Sequence, residues 1–121
     1  MTIQRLSNKA FEQIMAGHTK EPVSCVVKFY SNTCHLCRAL KGPYEEIAGS
    51  FKDVHFFAFN ADEYPSLESM GVRGVPSIAF IRTGQIPRIE VLEDPSPESA
   101  HKEMWYHPQD IVDFIERNHN V

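Results

Sequence analysis

A β-rich segment that runs directly into a helical one is the feature that most constrains the fold of this 121-residue chain. The segment VSCVVKFY, from Val23 to Tyr30, is rich in β-branched and aromatic residues, which predicts a strand buried on both faces. After the turn SNT, the sequence CHLCRALKGPYEEIAGSF carries apolar residues at helical spacing. Cys34 and Cys37 therefore stand where a buried strand gives way to a helix.

The rest of the chain alternates in the same way. We predict a short strand in IQRL, a helix capped by Ser7 and ended by Gly17, and a strand in DVHFFAFNAD. A short helix in EYPSLESMG, a hairpin with a tight turn at Gly84 and a last helix from Pro108 follow. The order β-α-β-α-β-α-β-β-α predicts an α/β fold in one domain, residues 1–121, with a mixed four- or five-stranded sheet between helices.

Local sequence signals add detail to this outline. Gly42 and Pro43 fall inside the second helix and predict a kink there. Pro65 is placed early in the short third helix, and Asp62 just before it is predicted to be a helix cap. The polar segment from Glu93 to His107 contains two prolines and is predicted to be a long loop.

Composition narrows the classes of function. The formal net charge of −4 and the lack of a basic run argue against binding to nucleic acid or to an anionic membrane. The longest apolar stretches are too short to span a bilayer. The polar N-terminus lacks the apolar run of a signal peptide, so we expect a cytoplasmic protein. Three cysteines argue against a structural disulfide framework, and Cys25 within the strand is predicted to be inert core.

The position of Cys34 and Cys37 predicts redox chemistry. Unpaired N–H groups and a partial positive charge at a helix N-terminus stabilise a thiolate, which is the form that attacks a disulfide. Spacing of three residues brings Cys37 beside Cys34, so that one sulfur can attack and the other can resolve the mixed disulfide. We expect Cys34 to be the more exposed of the two and Cys37 to face the sheet.

Two other interpretations of the pair stay open. A metal site would need two further ligands, and the six histidines show no zinc-finger spacing. Cys34 and Cys37 could also be core residues without chemistry. The strand-to-helix position favours the redox interpretation over both, and it implies neither a metal nor another bound cofactor.

The chain also resembles the thioredoxin family. The resemblance lies in CVVKFYSNTCHLCRAL, FAFNAD, MGVRGVPSIAFIRTG and the final QDIVDFIERN, and so covers nearly the whole chain. It implies a thioredoxin-like fold and a cis bond before Pro76 that packs against the active-site disulfide. It also implies a substrate-docking surface formed by Thr33, Leu36, Gly74, Val75 and Pro76.

The sequence departs from the family pattern at several positions. His35 and Leu36 separate the cysteines, where thioredoxins have Gly-Pro, and His35 could favour the thiolate if it is charged. Thr33 replaces the usual aromatic residue. Lys28 occupies the place of a buried carboxylate, and the lysine partner of that carboxylate aligns with Ala58. Lys28 could therefore tune the redox pair, or it could bury its stem and extend its ammonium to water.

The residues and the resemblance together predict a thiol–disulfide oxidoreductase that reduces protein disulfides. The implied partners are disulfide-containing protein substrates and a reductase or low-molecular-weight thiol as electron donor. Two alternatives remain: a binding or adaptor module of the same fold with little redox turnover, and a metal or iron–sulfur carrier that uses the two cysteines.

Overall fold

The computed structural model describes residues 3–64 and 67–119. Within them the chain forms a five-stranded mixed sheet and three α-helices. The strands are β1 (Gln4–Arg5), β2 (Ser24–Tyr30), β3 (Val54–Asn60), β4 (Ser77–Arg82) and β5 (Arg88–Val91), and the helices are α1 (Asn8–Met15), α2 (His35–Ser50) and α3 (Pro108–His119). The predicted α/β architecture with a mixed sheet is confirmed.

The sheet order, β1-β3-β2-β4-β5, places β2 at the centre. β2 runs parallel to β3 and antiparallel to β4, and Lys28 lies opposite Ala58 on one side and Ile78 on the other. Six of the seven residues of β2 are buried, as the sequence predicts. Because β2 ends where β4 begins, Cys34 after β2 and Pro76 before β4 lie at the same edge of the sheet.

Helices cover both faces of the sheet. On one face α2 and α3 pack over β2, β3 and β4, with Leu40, Tyr44 and Phe114 almost fully buried. On the other face α1 packs its Phe11 against Phe59 and Phe29, with ring centroids 4.7 and 6.0 Å apart. This second cluster also contains Cys25, which is 3% exposed. The sheet is thus fixed from both sides.

Helix α1 begins and ends where the sequence predicts. The Ser7 side chain accepts a hydrogen bond from the backbone N–H of Ala10, which caps the first turn. Gly17 follows the helix with φ of 79°, in the left-handed region that glycine adopts without strain. A side chain at this position would also overlap the Gln85 carbonyl oxygen, so the close approach of two loops requires glycine here.

The predicted short third helix is present only as a 3₁₀ turn within the predicted segment. The chain here forms two 3₁₀ turns, Ala61–Glu63 and Leu67–Met70, while Pro65 lies outside the described residues. Asn60 caps the first turn, and burial of Leu67 draws the second turn into the core.

The hairpin is confirmed, but its connection is not a tight turn. β4 ends at Arg82 and β5 begins at Arg88, so five residues join them, with Gly84 at φ of 138°. The chain continues beyond β4 because the buried Thr83 bonds the loop before β2. The Thr83 backbone N–H donates a hydrogen bond to the Val23 carbonyl, and the Thr83 hydroxyl donates one to the Glu21 carbonyl at 2.9 Å.

Two further expectations concern the second helix and the long loop. α2 runs without interruption through Pro43, and the kink predicted there stays a prediction. The segment 93–107 contains no helix, but His101 and Trp105 form an isolated bridge within it. Across the described ranges 3–64 and 67–119, no helix combines the length and apolar character needed to cross a membrane.

Candidate functional site

Cys34 caps the N-terminus of α2. Its backbone is extended, and its Sγ atom accepts a hydrogen bond from the Cys37 backbone N–H at 3.1 Å. The first turn of α2 carries no acidic side chain that would compete for the free N–H groups. A negative charge on the Cys34 sulfur is therefore stabilised by both a hydrogen bond and the positive end of the helix.

Cys34 and Cys37 are joined by a disulfide, and their Cα atoms are 5.3 Å apart. Cys34 is half-buried, whereas Cys37 is only 3% exposed and faces the core. This difference in exposure makes Cys34 the sulfur that an incoming thiol or disulfide can reach first. Cys37 is placed to attack Cys34 from within the protein.

A polar network holds the loop between β2 and α2. The Asp62 carboxylate accepts a hydrogen bond from the Asn32 backbone N–H at 3.1 Å. The Asn60 side-chain amide donates to the Asn32 side-chain carbonyl at 3.3 Å. The bond from the Asn32 N–H, followed by one from the Ser31 hydroxyl, lowers the pKa of Asp62. The loop that presents Cys34 is thus tied to the end of β3.

Asp62 is not the helix cap predicted from the sequence. The residue that caps the 3₁₀ turn is Asn60, whose side chain accepts from the Asp62 N–H at 2.9 Å. Asp62 instead reaches across to Asn32, because the parallel strands β2 and β3 end side by side, with Tyr30 opposite Asn60. Polar residues directly after two neighbouring strands were the sequence signal that could have predicted this contact.

The predicted docking residues line both sides of the same sheet edge. Thr33 is exposed before Cys34, and its hydroxyl lies 3.3 Å from that of Ser31. His35 is exposed as the first residue of α2, and Leu36 is half-buried. These three residues are the sequence neighbours of the accessible Cys34 and of the bond that joins it to Cys37.

On the β4 side of the edge, Gly74 is exposed, Val75 is half-buried and Pro76 is buried. The Val75–Pro76 peptide bond is cis. The Ser77 hydroxyl donates a hydrogen bond to the Gly74 carbonyl. This bond fixes the turn that leads into β4.

Lys28 lies on the central strand behind the disulfide and is 6% exposed. Its Nζ atom is 5.1 Å from the centroid of the Tyr44 ring, which gives a cation–π contact. Burial lowers the pKa of Lys28, and the positive charge of Lys41 lowers it further, while Glu45 acts in the opposite direction. The side chain is therefore buried with its charge held against an aromatic face.

Tyr44 is fully buried and supports this part of the site. Its hydroxyl donates to the Phe57 carbonyl at 2.7 Å and lies 3.2 Å from the Val26 carbonyl. Burial is the main cause that raises the pKa of Tyr44 well above its usual value. Tyr44 therefore stays neutral and joins α2 to β2 and β3 next to Lys28.

A cavity of about 340 Å³ opens beside Cys37. Lys28 and Tyr44 form part of its wall, and the remaining lining residues come from β1 and the residue before it, from the end of β2 and the residue after it, from α2 and from β3. Cys37 lines this cavity, whereas Cys34 is not among its lining residues.

The long loop 93–107 is fixed to the molecule by aromatic residues. Tyr106 is buried, and its hydroxyl donates to Asp94 at 3.2 Å, while the Trp105 indole N–H donates to the same carboxylate at 3.4 Å. Burial and the Asp94 charge raise the pKa of Tyr106. Trp105 and Tyr106 therefore anchor this loop. Where the structure describes side chains, it gathers no three His, Cys, Asp or Glu residues that could hold a metal ion.

Comparison with known proteins places this geometry in context. Residues 2–104 match the family model described as Thioredoxin. Over 84 residues the chain is 31% identical to Thioredoxin-1 of Caenorhabditis elegans, which covers 69% of this chain and 70% of that protein. Over 91 residues it is 31% identical to the chloroplastic thioredoxin-like protein HCF164 of Arabidopsis thaliana, covering 64% of this chain but 35% of that protein.

Other relatives are larger, and solved structures share the fold. The chain is 34% identical over 79 residues to protein disulfide-isomerase of Gallus gallus, covering 61% of this chain and 15% of the relative. It thus spans about a third or less of several curated relatives that it matches. Chloroplastic thioredoxin z superposes with a TM-score of 0.66 at 18% identity, covering 100% of this chain and 97% of that one. This likeness shows a thioredoxin-like fold.

Proposed function

Because this chain belongs to the thioredoxin family, we propose that it is a thiol–disulfide oxidoreductase that reduces protein disulfides through Cys34 and Cys37. The observation that carries the proposal is the disulfide at the N-terminus of α2, with a half-buried Cys34 and a buried Cys37. One accessible and one protected sulfur are what a two-step exchange requires.

The proposed cycle begins from the dithiol. The Cys34 thiolate attacks one sulfur of a substrate disulfide, which forms a mixed disulfide and releases the other substrate sulfur as a thiolate that takes up a proton. Cys37 then loses its proton and attacks the Cys34 sulfur, which expels the second substrate thiolate and closes the disulfide seen in this structure. Two electrons have moved to the substrate. A reductase or a low-molecular-weight thiol returns two electrons to the pair.

Substitution of each cysteine tests the cycle. Cys34→Ser should reduce turnover of a protein disulfide with dithiothreitol as donor to the uncatalysed rate, because no nucleophile remains at the helix terminus. Cys37→Ser should accumulate mixed disulfides that are visible on a non-reducing gel, because nothing resolves them. Cys25→Ala is the matched control and should keep full turnover, since Cys25 lies in the core away from the pair. Full activity in both serine variants would refute the proposal.

We propose that residues on both sides of the disulfide dock the substrate. Thr33 precedes Cys34 and Leu36 lies between the two cysteines, while Gly74, Val75 and Pro76 precede β4 at the same sheet edge. An extended substrate segment can pair with backbone groups that a strand end leaves free. Thr33→Trp should change the relative rates for different protein substrates more than it changes the rate with a small disulfide.

Lys28 and His35 are proposed to tune the reduction potential. A positive charge near Cys37 favours its thiolate, which stabilises the reduced form. Lys28→Met should therefore give a more negative reduction potential, measured by equilibration with defined thiol buffers and counting of free thiols. His35→Ala, which removes the imidazole next to Cys34, should move the potential in the same direction. An unchanged potential in both variants would remove the tuning role.

A further inference from the structure

The cavity beside Cys37 has more basic than acidic side chains in its wall. Arg5, Lys28, Arg38 and Lys41 are basic, and Glu45 is the acidic residue that lines it. The formal charge of the lining is therefore +3. Arg38 and Lys41 are exposed on α2, so they stand toward solvent, whereas Lys28 lies deep on the central strand.

Lys28 is held mainly against an aromatic ring. The residue is 6% exposed, and Lys41 and Glu45 are the charged groups that act on its ammonium. The face of Tyr44, 5.1 Å from Nζ, is a weak substitute for an ion partner. Burial disfavours the charged form of Lys28, so an anion in the cavity would stabilise its ammonium.

We propose that this cavity binds a small oxoanion, with Lys28 at its base and Arg38 and Lys41 at its mouth. An arginine fork and lysine ammonium groups are the groups that proteins use to bind phosphate and carboxylate oxygens. Tyr30 and Ser31 also line the cavity, and the Tyr30 hydroxyl accepts hydrogen bonds from the Arg5 guanidinium at 2.7 and 3.1 Å. A volume of about 340 Å³ leaves room for a small molecule that carries the anionic group as well as for a free anion.

Anion binding is expected to affect reduction of the Cys34–Cys37 pair, because Cys37 lines the same cavity. Reduction converts the uncharged disulfide into two sulfurs that carry thiolate charge when they lose their protons. An anion beside Cys37 opposes that charge, so the disulfide form should bind the anion more tightly than the reduced form does. By reciprocity, the anion makes the pair harder to reduce. This coupling rests on the proposed function, whereas anion binding itself does not.

Binding is tested on the disulfide form of the whole chain. Sodium phosphate or sodium succinate is titrated into ¹⁵N-labelled protein, with sodium chloride of equal ionic strength as reference. Saturable amide shifts at Lys28, Tyr30, Arg38 and Lys41 are expected. Saturation by phosphate alone assigns a phosphate site, and saturation by succinate alone assigns a carboxylate site. Shifts that chloride reproduces, or no saturation with either anion, would overturn the proposal.

Substitutions locate the bound anion. Lys28→Met should weaken the affinity at least tenfold because it removes the deepest charge. Lys41→Met, at an exposed position where folding is not in question, should weaken it at least threefold. Lys52→Met removes an exposed lysine outside the lining and should leave the affinity unchanged. Equal affinity in all three variants would show non-specific attraction and overturn the site.

The coupling between anion binding and reduction of the Cys34–Cys37 pair is measured separately. The ratio of reduced to oxidised protein in a fixed thiol buffer should fall about threefold at an anion concentration that saturates the native chain, and it should fall less in Lys28→Met at the same concentration. An unchanged ratio in the native chain would refute the coupling and leave the binding data standing. Failure of Cys34→Ser to lose turnover would instead refute the proposed function, so the two failures are distinguishable.

Discussion

At the scale of single residues, the burial of Lys28 can be predicted from the sequence, but its neighbours in space cannot. Its place in the run VVKFY, within a strand predicted to be buried on both faces, indicates that the side chain is buried. The sequence does not show that Tyr44 from α2 covers the ammonium or that Cys37 shares its cavity. Those neighbours come from other elements, and only packing brings them together.

Replacement of Lys28 by methionine should stabilise the protein at neutral pH. Burial lowers the pKa of Lys28, so the unfolded chain binds its proton more tightly than the folded chain does. The resulting penalty is fully present below the lowered pKa and disappears as the pH rises above the ordinary lysine value of 10.5. Lys28→Met should raise the free energy of unfolding by about 1 kcal/mol at pH 7, and the difference should shrink toward pH 10.5.

The measurement is guanidinium unfolding of both proteins across this pH range, with Lys52→Met as the control at an exposed site. A difference that grows with pH would have the wrong sign and would show that Lys28 is stabilised, rather than penalised, in its charged form.

At the scale of elements, the sequence predicts most accurately where the pattern is long and its ends are marked. The end of β2 and the start of α2 are predicted to within one residue. The buried β-rich run ends at Tyr30, and the helical spacing of apolar residues begins at the first cysteine. The short helix predicted from EYPSLESMG is only the 3₁₀ turn Leu67–Met70, whose Leu67 packs into the core through contacts that the local sequence does not show. The connection between β4 and β5 is longer than predicted because Thr83 bonds the loop before β2, 60 residues away in sequence.

A substitution at Gly17 tests the end of helix α1. Gly17→Ala should destabilise the protein by more than about 2 kcal/mol, because alanine is strained at a φ of 79° and its Cβ would displace the Gln85 carbonyl. Thermal unfolding would measure the loss. Gly49→Ala is the matched control, since Gly49 is helical and a Cβ there meets nothing within 4 Å. That control should be neutral or slightly stabilising.

At the scale of the whole molecule, the candidate site is formed at one edge of the sheet by residues from several elements, and no single sequence motif supplies all of it. The two cysteines and their helix were evident in the sequence, but the Asp62–Asn32 bond and the cavity depend on strand order. Parallel pairing of β2 with β3 brings Asp62 to the loop before Cys34. Antiparallel pairing of β2 with β4 brings Pro76 to the same edge. Long-range pairings of this kind are not encoded in local periodicity.

The stability of the two redox forms should report the direction of electron flow. A protein that reduces other disulfides must favour its own disulfide, so the oxidised form should unfold at higher denaturant concentration than the reduced form. Closure of the short loop between Cys34 and Cys37 contributes about 2 kcal/mol in this direction. Guanidinium unfolding with and without excess reductant tests it. A more stable reduced form would show that thiolate stabilisation by α2 and Lys28 dominates, and would make the protein an oxidant.

Cys25, on the central strand β2, reports when this strand separates from its neighbours. Cys25 is 3% exposed between β3 and β4, and burial raises the pKa of its thiol to about 11. An alkylating reagent should therefore modify Cys25 only in molecules whose sheet has separated. Its labelling rate, compared with that of the unfolded chain, gives the free energy of that separation without any introduced probe.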